Sequence, residues 1–109
     1  MDKAKAIAAF AALSQPTRLD VFRLLIKAGD DGLLAGQISD TLNTRQNTMS
    51  ANLTILVQAG LIRNRREGRM IHYYADHAGL RGLLSFLLED CCGGNPDLCK
   101  PILDELACC

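Results

Sequence analysis

Apolar side chains recur along the chain at spacings that predict most of its elements. Ile7, Phe10 and Leu13 fall on one side of a helix over about 3–13. Ser14-Gln15-Pro16-Thr17 interrupts it, and Pro16 suits the first turn of the next helix, where its missing N–H is not needed. Leu19, Phe22, Leu25 and Ile26 give helical spacing over about 17–27, which Gly29 ends. A short helix over about 35–42 is anchored by Ile38 and Leu42, and Asn43-Thr44 makes a tight turn. A longer helix over about 46–59 carries Met49, Leu53, Leu56 and Val57 on its inner face. Gly60 is its left-handed stop, with Leu61 closing over the end. Residues 61–66 and 69–75 are strand-like, joined by Glu67-Gly68 as a two-residue turn. A last helix over about 80–89 carries Leu80, Leu83, Leu84, Phe86, Leu87 and Leu88. It is apolar nearly all round, which in a small domain predicts contact with a second copy.

The order is helix, helix, short helix, turn, long helix, hairpin, helix. This predicts a mainly α fold with a small β-hairpin, a homodimeric winged helix-turn-helix. The long helix would enter the ~12 Å major groove of DNA while the helix before it braces on the backbone. Residues 1–90 would form the DNA-binding and dimerisation domain and residues 91–109 a cysteine-rich tail. Ile7 and Phe10 of the first helix, with Leu80, Leu83, Leu84 and Leu87 of the last, are the candidate dimer face.

The chain has 109 residues, enough for one domain. Its zero net charge excludes a uniformly basic nucleic-acid binder, but the average hides a gradient. Residues 45–75 carry Arg45, Arg63, Arg65, Arg66 and Arg69 against Glu67 alone, a net of +4. Residues 76–109 carry Arg81 and Lys100 against six acids, a net of −4. Separated charge implies separated tasks. No apolar stretch approaches the ~18 residues needed to cross a bilayer, so no membrane partner is expected. The alanine-rich start, with Asp2 in it, reads as an amphipathic helix rather than a signal peptide, which places the chain in the cytoplasm.

The positive segment has the chemistry of a DNA reader. Gln46, Asn47, Thr48, Ser50 and Asn52 lie on the first half of the long helix, the half that reaches bases. Amides can bond adenine bidentately, and hydroxyls can bond bases or phosphates. No acid occurs from residue 41 to 66. Arg45 and the hairpin arginines Arg63, Arg65, Arg66 and Arg69 supply the charge; the guanidinium fork suits phosphate and the minor groove.

The chain resembles the ArsR/SmtB family of bacterial winged-helix repressors. The resemblance is carried by Leu13-Ser14-Gln15-Pro16-Thr17-Arg18-Leu19, by residues 50–62 (SANLTILVQAGLI), by Arg66-Glu67-Gly68-Arg69 and by Tyr73-Tyr74, and covers essentially residues 5–90. It implies a dimer on double-stranded operator DNA, released when metal binds. Many members carry His where this chain has Asn52. The best-known arsenic site of the family, closely spaced cysteines on the helix before the reading helix, is absent, because residues 35–42 hold no cysteine. A zinc site built on the last helix from Asp/His pairs is incomplete, because no second His follows Asp76-His77.

All five cysteines lie in the last 19 residues, as Cys91, Cys92, Cys99, Cys108 and Cys109. In a reducing cytosol they read as thiols rather than a disulfide framework. The resemblance extends here to arsenite sensors with Cys-Cys and a third Cys about seven residues on, matching Cys91, Cys92 and Cys99. As(III), or Sb(III), takes three thiolates in a pyramid, and soft thiolates favour such centres. Gly93-Gly94 and Pro96 would fold the chain back to bring Cys99 to the pair. Zinc prefers four ligands and wider spacing. The expected function is therefore an arsenic-resistance repressor with no organic cofactor. The alternatives are a thiol redox-sensing repressor of the same fold and a thiol metal buffer or reductase that does not bind DNA. Catalysis is not expected: Cys91 follows a helix C-terminus and Glu89-Asp90, which raise a thiol's pKa, whereas a nucleophilic thiol needs the opposite setting.

Overall fold

In the computed structural model, which describes residues 1–89 and 95–106, the elements follow the expected order with two additions. Helix α1 spans Lys3–Leu13 and α2 Pro16–Ala28; a 3₁₀ turn at Gly29–Asp31 leads to strand β1, Leu33–Leu34. Helices α3 (Ala35–Thr41) and α4 (Gln46–Gln58) follow, then strands β2 (Ile62–Glu67) and β3 (Met70–Ala75). Helix α5 spans His77–Leu87 and α6 Pro96–Glu105.

Local chemistry sets the boundaries. The Asp2 carboxylate caps α1 by accepting from the Lys5 amide at 2.8 Å, and Gln15 caps α2 from the Arg18 amide with Pro16 in the first turn. Asn43 adopts φ +50° in the turn between α3 and α4, a conformation Asn tolerates better than most residues. At the end of α4, Gly60 sits at φ +77° and the Leu61 amide donates back to the Leu56 carbonyl, so Leu61 folds over the helix as expected. The hairpin turn lies one residue later than predicted: Glu67 pairs with Met70, leaving Gly68-Arg69 as the loop. Gly68, at φ +63°, takes the first loop position, as a II′ turn requires.

The sheet has three antiparallel strands in the order β1-β3-β2, not the two of the predicted hairpin. Leu33 pairs with Tyr73 and Leu34 with His72. Helix α2 packs against α1, α4 and β3, and the core fills the space between them with Val21, Leu25, Ile38, Met49, Leu53, Leu56 and Leu61, all fully buried.

Helix α1 turns its alanines inward: Ala6, Ala9 and Ala12 are buried, while Ile7 and Phe10, placed on the dimer face from the sequence, stay exposed. One expectation about packing is corrected. On α5, Leu83 is 3% exposed and belongs to the chain's own core, so it is not available to a second copy as predicted. Leu80 and Leu84 are half-buried and Leu87 is exposed. Helix α6 lies in the stretch that the sequence marks only as a cysteine-rich tail. Its amphipathic surface leaves Leu98, Ile102, Leu103 and Leu106 exposed. The Gly93-Gly94 return lies outside the described residues.

Candidate nucleic-acid interface

The first turns of α4 present Gln46, Asn47, Thr48 and Ser50 to solvent, with Arg45 exposed at the N-cap. Neither an acid in the first turn nor a capping bond from the Arg45 side chain occupies this end. Asn47 Oδ1 accepts from the Thr48 amide at 2.8 Å, so the helix offers its other first-turn amide N–H groups and the positive end of its dipole together with its polar side chains. Thr54 Oγ1 donates to the Ser50 carbonyl at 3.0 Å, so Thr54 is tied to its own helix.

Asn52 departs from the sequence reading. It is 7% exposed, and its Oδ1 accepts from Arg18 Nη1 at 3.2 Å. A carboxamide turned inward and spent on Arg18 does not project toward a base edge. The spacing carried this signal: Met49, Asn52, Leu53 and Leu56 form an i, i+3, i+4, i+7 set, which places Asn52 on the buried stripe.

The strand pleat divides the wing. Arg63, Arg65 and Glu67 share one face with Tyr74 and His72, whereas Arg66 projects from the other face and Arg69 from the turn. Tyr74 organises the first group. The guanidinium carbons of Arg63 and Arg65 stand 5.3 and 5.5 Å from its ring centroid. Arg65 Nη2 also donates to Tyr74 Oη at 3.1 Å and pairs with Glu67 Oε1 at 2.8 Å. Arg65 is thus oriented and partly neutralised. Arg66 and Arg69 are exposed, with no carboxylate of the described residues paired to them. Sequence reasoning grouped the four arginines without separating them in this way.

A helix-turn-helix domain profile matches residues 13–65, from the end of α1 through most of β2. The transcriptional repressor SdpR of Bacillus subtilis is 35% identical over 89 residues, covering 82% of this chain and 96% of that protein. An ArsR-like transcriptional regulator from Rhodococcus superposes with a TM-score of 0.67 at 26% identity, covering 95% of this chain and 93% of its own. The chain belongs to the ArsR family of winged helix-turn-helix transcriptional regulators. A homodimeric winged helix-turn-helix DNA-binding domain from Mycobacterium bovis, described as a possible ArsR-family regulator, gives a TM-score of 0.63 at 28% identity. It matches over 80% of this chain and 81% of that one. These relatives are transcriptional regulators, not enzymes, and the helix-turn-helix match spans the α3–α4 pair and most of β2. Among the described residues, no helix is long and apolar enough to cross a membrane.

The thiol tail is only partly described. Cys99 lies half-buried on α6 and is disulfide-bonded. Cys91, Cys92, Cys108 and Cys109 also lie outside them. Among the described residues, no three His, Cys, Asp or Glu side chains gather as a metal site. Asp76 spends its carboxylate on the Gly79 amide at 3.0 Å as the cap of α5.

Helix α5 is seated on the end of α4. The Asp76 amide donates to the Leu61 carbonyl at 2.9 Å, and Gly79 lies so close to the Gly60 carbonyl that a Cβ there would overlap it. The helix that leads to the cysteines therefore rests, at its other end, against the stop of the reading helix.

Proposed function

We propose that the chain is a homodimeric repressor of an arsenic-resistance operon. It would hold double-stranded operator DNA in the thiol-reduced state and leave it when As(III) or Sb(III) takes Cys91, Cys92 and Cys99. The observation that carries this reading is the seat of α5 on the Gly60-Leu61 turn, since α5 starts at the end of α4 and is the helix that precedes Cys91-Cys92 in the sequence. Arsenous acid exchanges its three hydroxyls for three thiols, releasing three waters and leaving a pyramidal AsS₃ centre; thiolate softness favours this over oxygen ligands. Closing that centre orders the tail and shifts α5, and α5 cannot move without pressing on the stop of α4. A coupling of about 1–3 kcal/mol per site is typical of such linkage. The homodimer is supported by the exposed Ile7, Phe10 and Leu87 on the adjoining helices α1 and α5.

The test is an electrophoretic shift of a duplex taken from upstream of the chain's own gene. Arsenite is expected to dissociate the complex, and Cys99→Ser to abolish the response while leaving binding intact. Persistence of the wild-type complex with arsenite overturns the metalloid switch. X-ray absorption that finds oxygen rather than sulfur around arsenic does so independently.

The disulfide at Cys99 favours a second reading, oxidative release. Two thiols lose two protons and two electrons to an oxidant such as diamide, and the resulting bond replaces the metalloid as the tie. Dissociation by diamide without arsenite, reversed by dithiothreitol, is the outcome that distinguishes it.

A further inference from the structure

Arg18 is a half-buried cation that pairs with no carboxylate of the described residues. Its guanidinium is instead spent on two neutral acceptors of different helices. Nε donates to the Ala12 carbonyl at 2.7 Å, and Nη1 to Asn52 Oδ1 at 3.2 Å. The Ala12 carbonyl is in the last turn of α1, where helix carbonyls lack an intrahelical donor. Asn52 lies midway along α4. One planar fork rooted in α2 thus spans from the end of α1 to the middle of α4.

Two features indicate that the fork sets orientation rather than adding cohesion. Asn52 occupies the buried stripe of α4, where an apolar residue would pack without the cost of desolvating an amide. A buried polar pair of this kind is satisfied in only one rotation of the helix about its axis. Beside the fork, α1 and α4 meet over only a short stretch, and an open groove of about 330 Å³, lined by Arg18 with Ala8, Ala11, Ala12, Ile55, Gln58 and Ala59, lies between them. Where side-chain packing is thin, Arg18 is the strut.

We propose that Arg18, through Asn52, is a positioning residue for DNA recognition. It fixes the rotation of α4 relative to α1, and so decides which of Gln46, Asn47, Thr48 and Ser50 meet the bases, without itself touching DNA. Lysine cannot replace it, because a single ammonium lacks the fork that reaches both acceptors.

The inference rests on the DNA-binding reading and is independent of the metalloid. Its test compares the full chain with Arg18→Gln, Asn52→Leu and the double variant. Each is measured on the upstream duplex and on a scrambled duplex across a salt series, with circular dichroism confirming the fold. Asn52→Leu fills the buried position and keeps the fold even if Arg18→Gln does not. In each single variant, the preference for the upstream duplex is expected to fall by roughly 10-fold or more. The salt slope stays unchanged, and the double variant is no worse than the poorer single one. An unchanged preference in the variants, or losses that multiply in the double variant, overturns the proposal. A salt slope reduced by about one per subunit does so too, since Arg18 would then be a phosphate contact. A wild-type chain that does not distinguish the duplexes overturns this proposal together with the DNA-binding reading.

Discussion

Tyr74 and Glu67 decide what the wing arginines can do. Tyr74 is 7% exposed, and its ring holds Arg63 and Arg65 on one face of the hairpin, while Glu67 draws Arg65 back along the strand. The Arg65–Glu67 pair is largely exposed, so it contributes at most about 1 kcal/mol to stability. Its effect on DNA is larger in principle, because Glu67 is the sole acid in a segment of five arginines. Glu67→Gln is therefore expected to leave the unfolding midpoint nearly unchanged but tighten binding to any duplex several-fold, with a steeper salt slope. Fluorescence anisotropy at two salt concentrations checks this. Arg66→Ala is expected to act in the opposite direction, lowering the slope by about one per subunit. A null effect from Arg66→Ala together with a large one from Arg65→Ala would place the DNA on the Tyr74 face instead.

At the scale of elements, α4 is held at two places: by Arg18 at its middle and by α5 at its end. The second is testable through Gly79, where an added methyl would overlap the Gly60 carbonyl, a backbone atom that cannot rotate away. Gly79→Ala is expected to destabilise the fold by about 1–3 kcal/mol, measured by urea unfolding, as overpacking does elsewhere. Weaker operator binding should accompany this, because the displaced element is the stop of the reading helix. The buried stripe of α4, the Gly60 stop and the wing were legible in the sequence, because periodicity and left-handed glycines act locally. Strand β1 was not: two residues are too few to show alternation, and Leu33-Leu34 becomes a strand only because β3 offers an edge. Helix α6 had its signal in Asn95-Pro96-Asp97, a cap followed by proline in the first turn, and the Asn95 side chain does cap it. Pro101 within the helix and the two glycines before it obscured that signal. The inward face of α1 was not legible, because the sequence shows its larger side chains first and they are not the ones that pack. Alanine permits the closer approach, and Ile7 and Phe10 are left facing outward.

At the scale of the molecule, the outward apolar residues and the basic segment make one joint argument. The basic segment of a single chain offers Arg45, Arg63, Arg66 and Arg69 without a paired carboxylate among the described residues, too few charges for tight binding at physiological salt. In the proposed homodimer two copies would double that number and place two reading helices one helical turn apart, so that affinity would depend on the contact between subunits. Phe10 is 43% exposed and Ile7 58%, on the helix whose last turn also receives Arg18. Phe10→Glu puts a carboxylate into the proposed seam, where both copies would carry it and repel, but into solvent in an isolated chain, so the fold itself is spared. Sedimentation equilibrium is expected to show a monomer with wild-type helicity. Operator affinity should fall steeply, and the slope of log affinity against log salt should drop to about half, because the number of phosphates neutralised halves. A wild-type dimer engaging about six phosphates should itself lose roughly 10³ in affinity between 50 and 200 mM salt, which sets the scale against which the halved slope is read. If Phe10→Glu stays dimeric with an unchanged slope, the subunit contact does not pass through α1, and the exposed leucines and isoleucine of α6 become the surface on which to look for it.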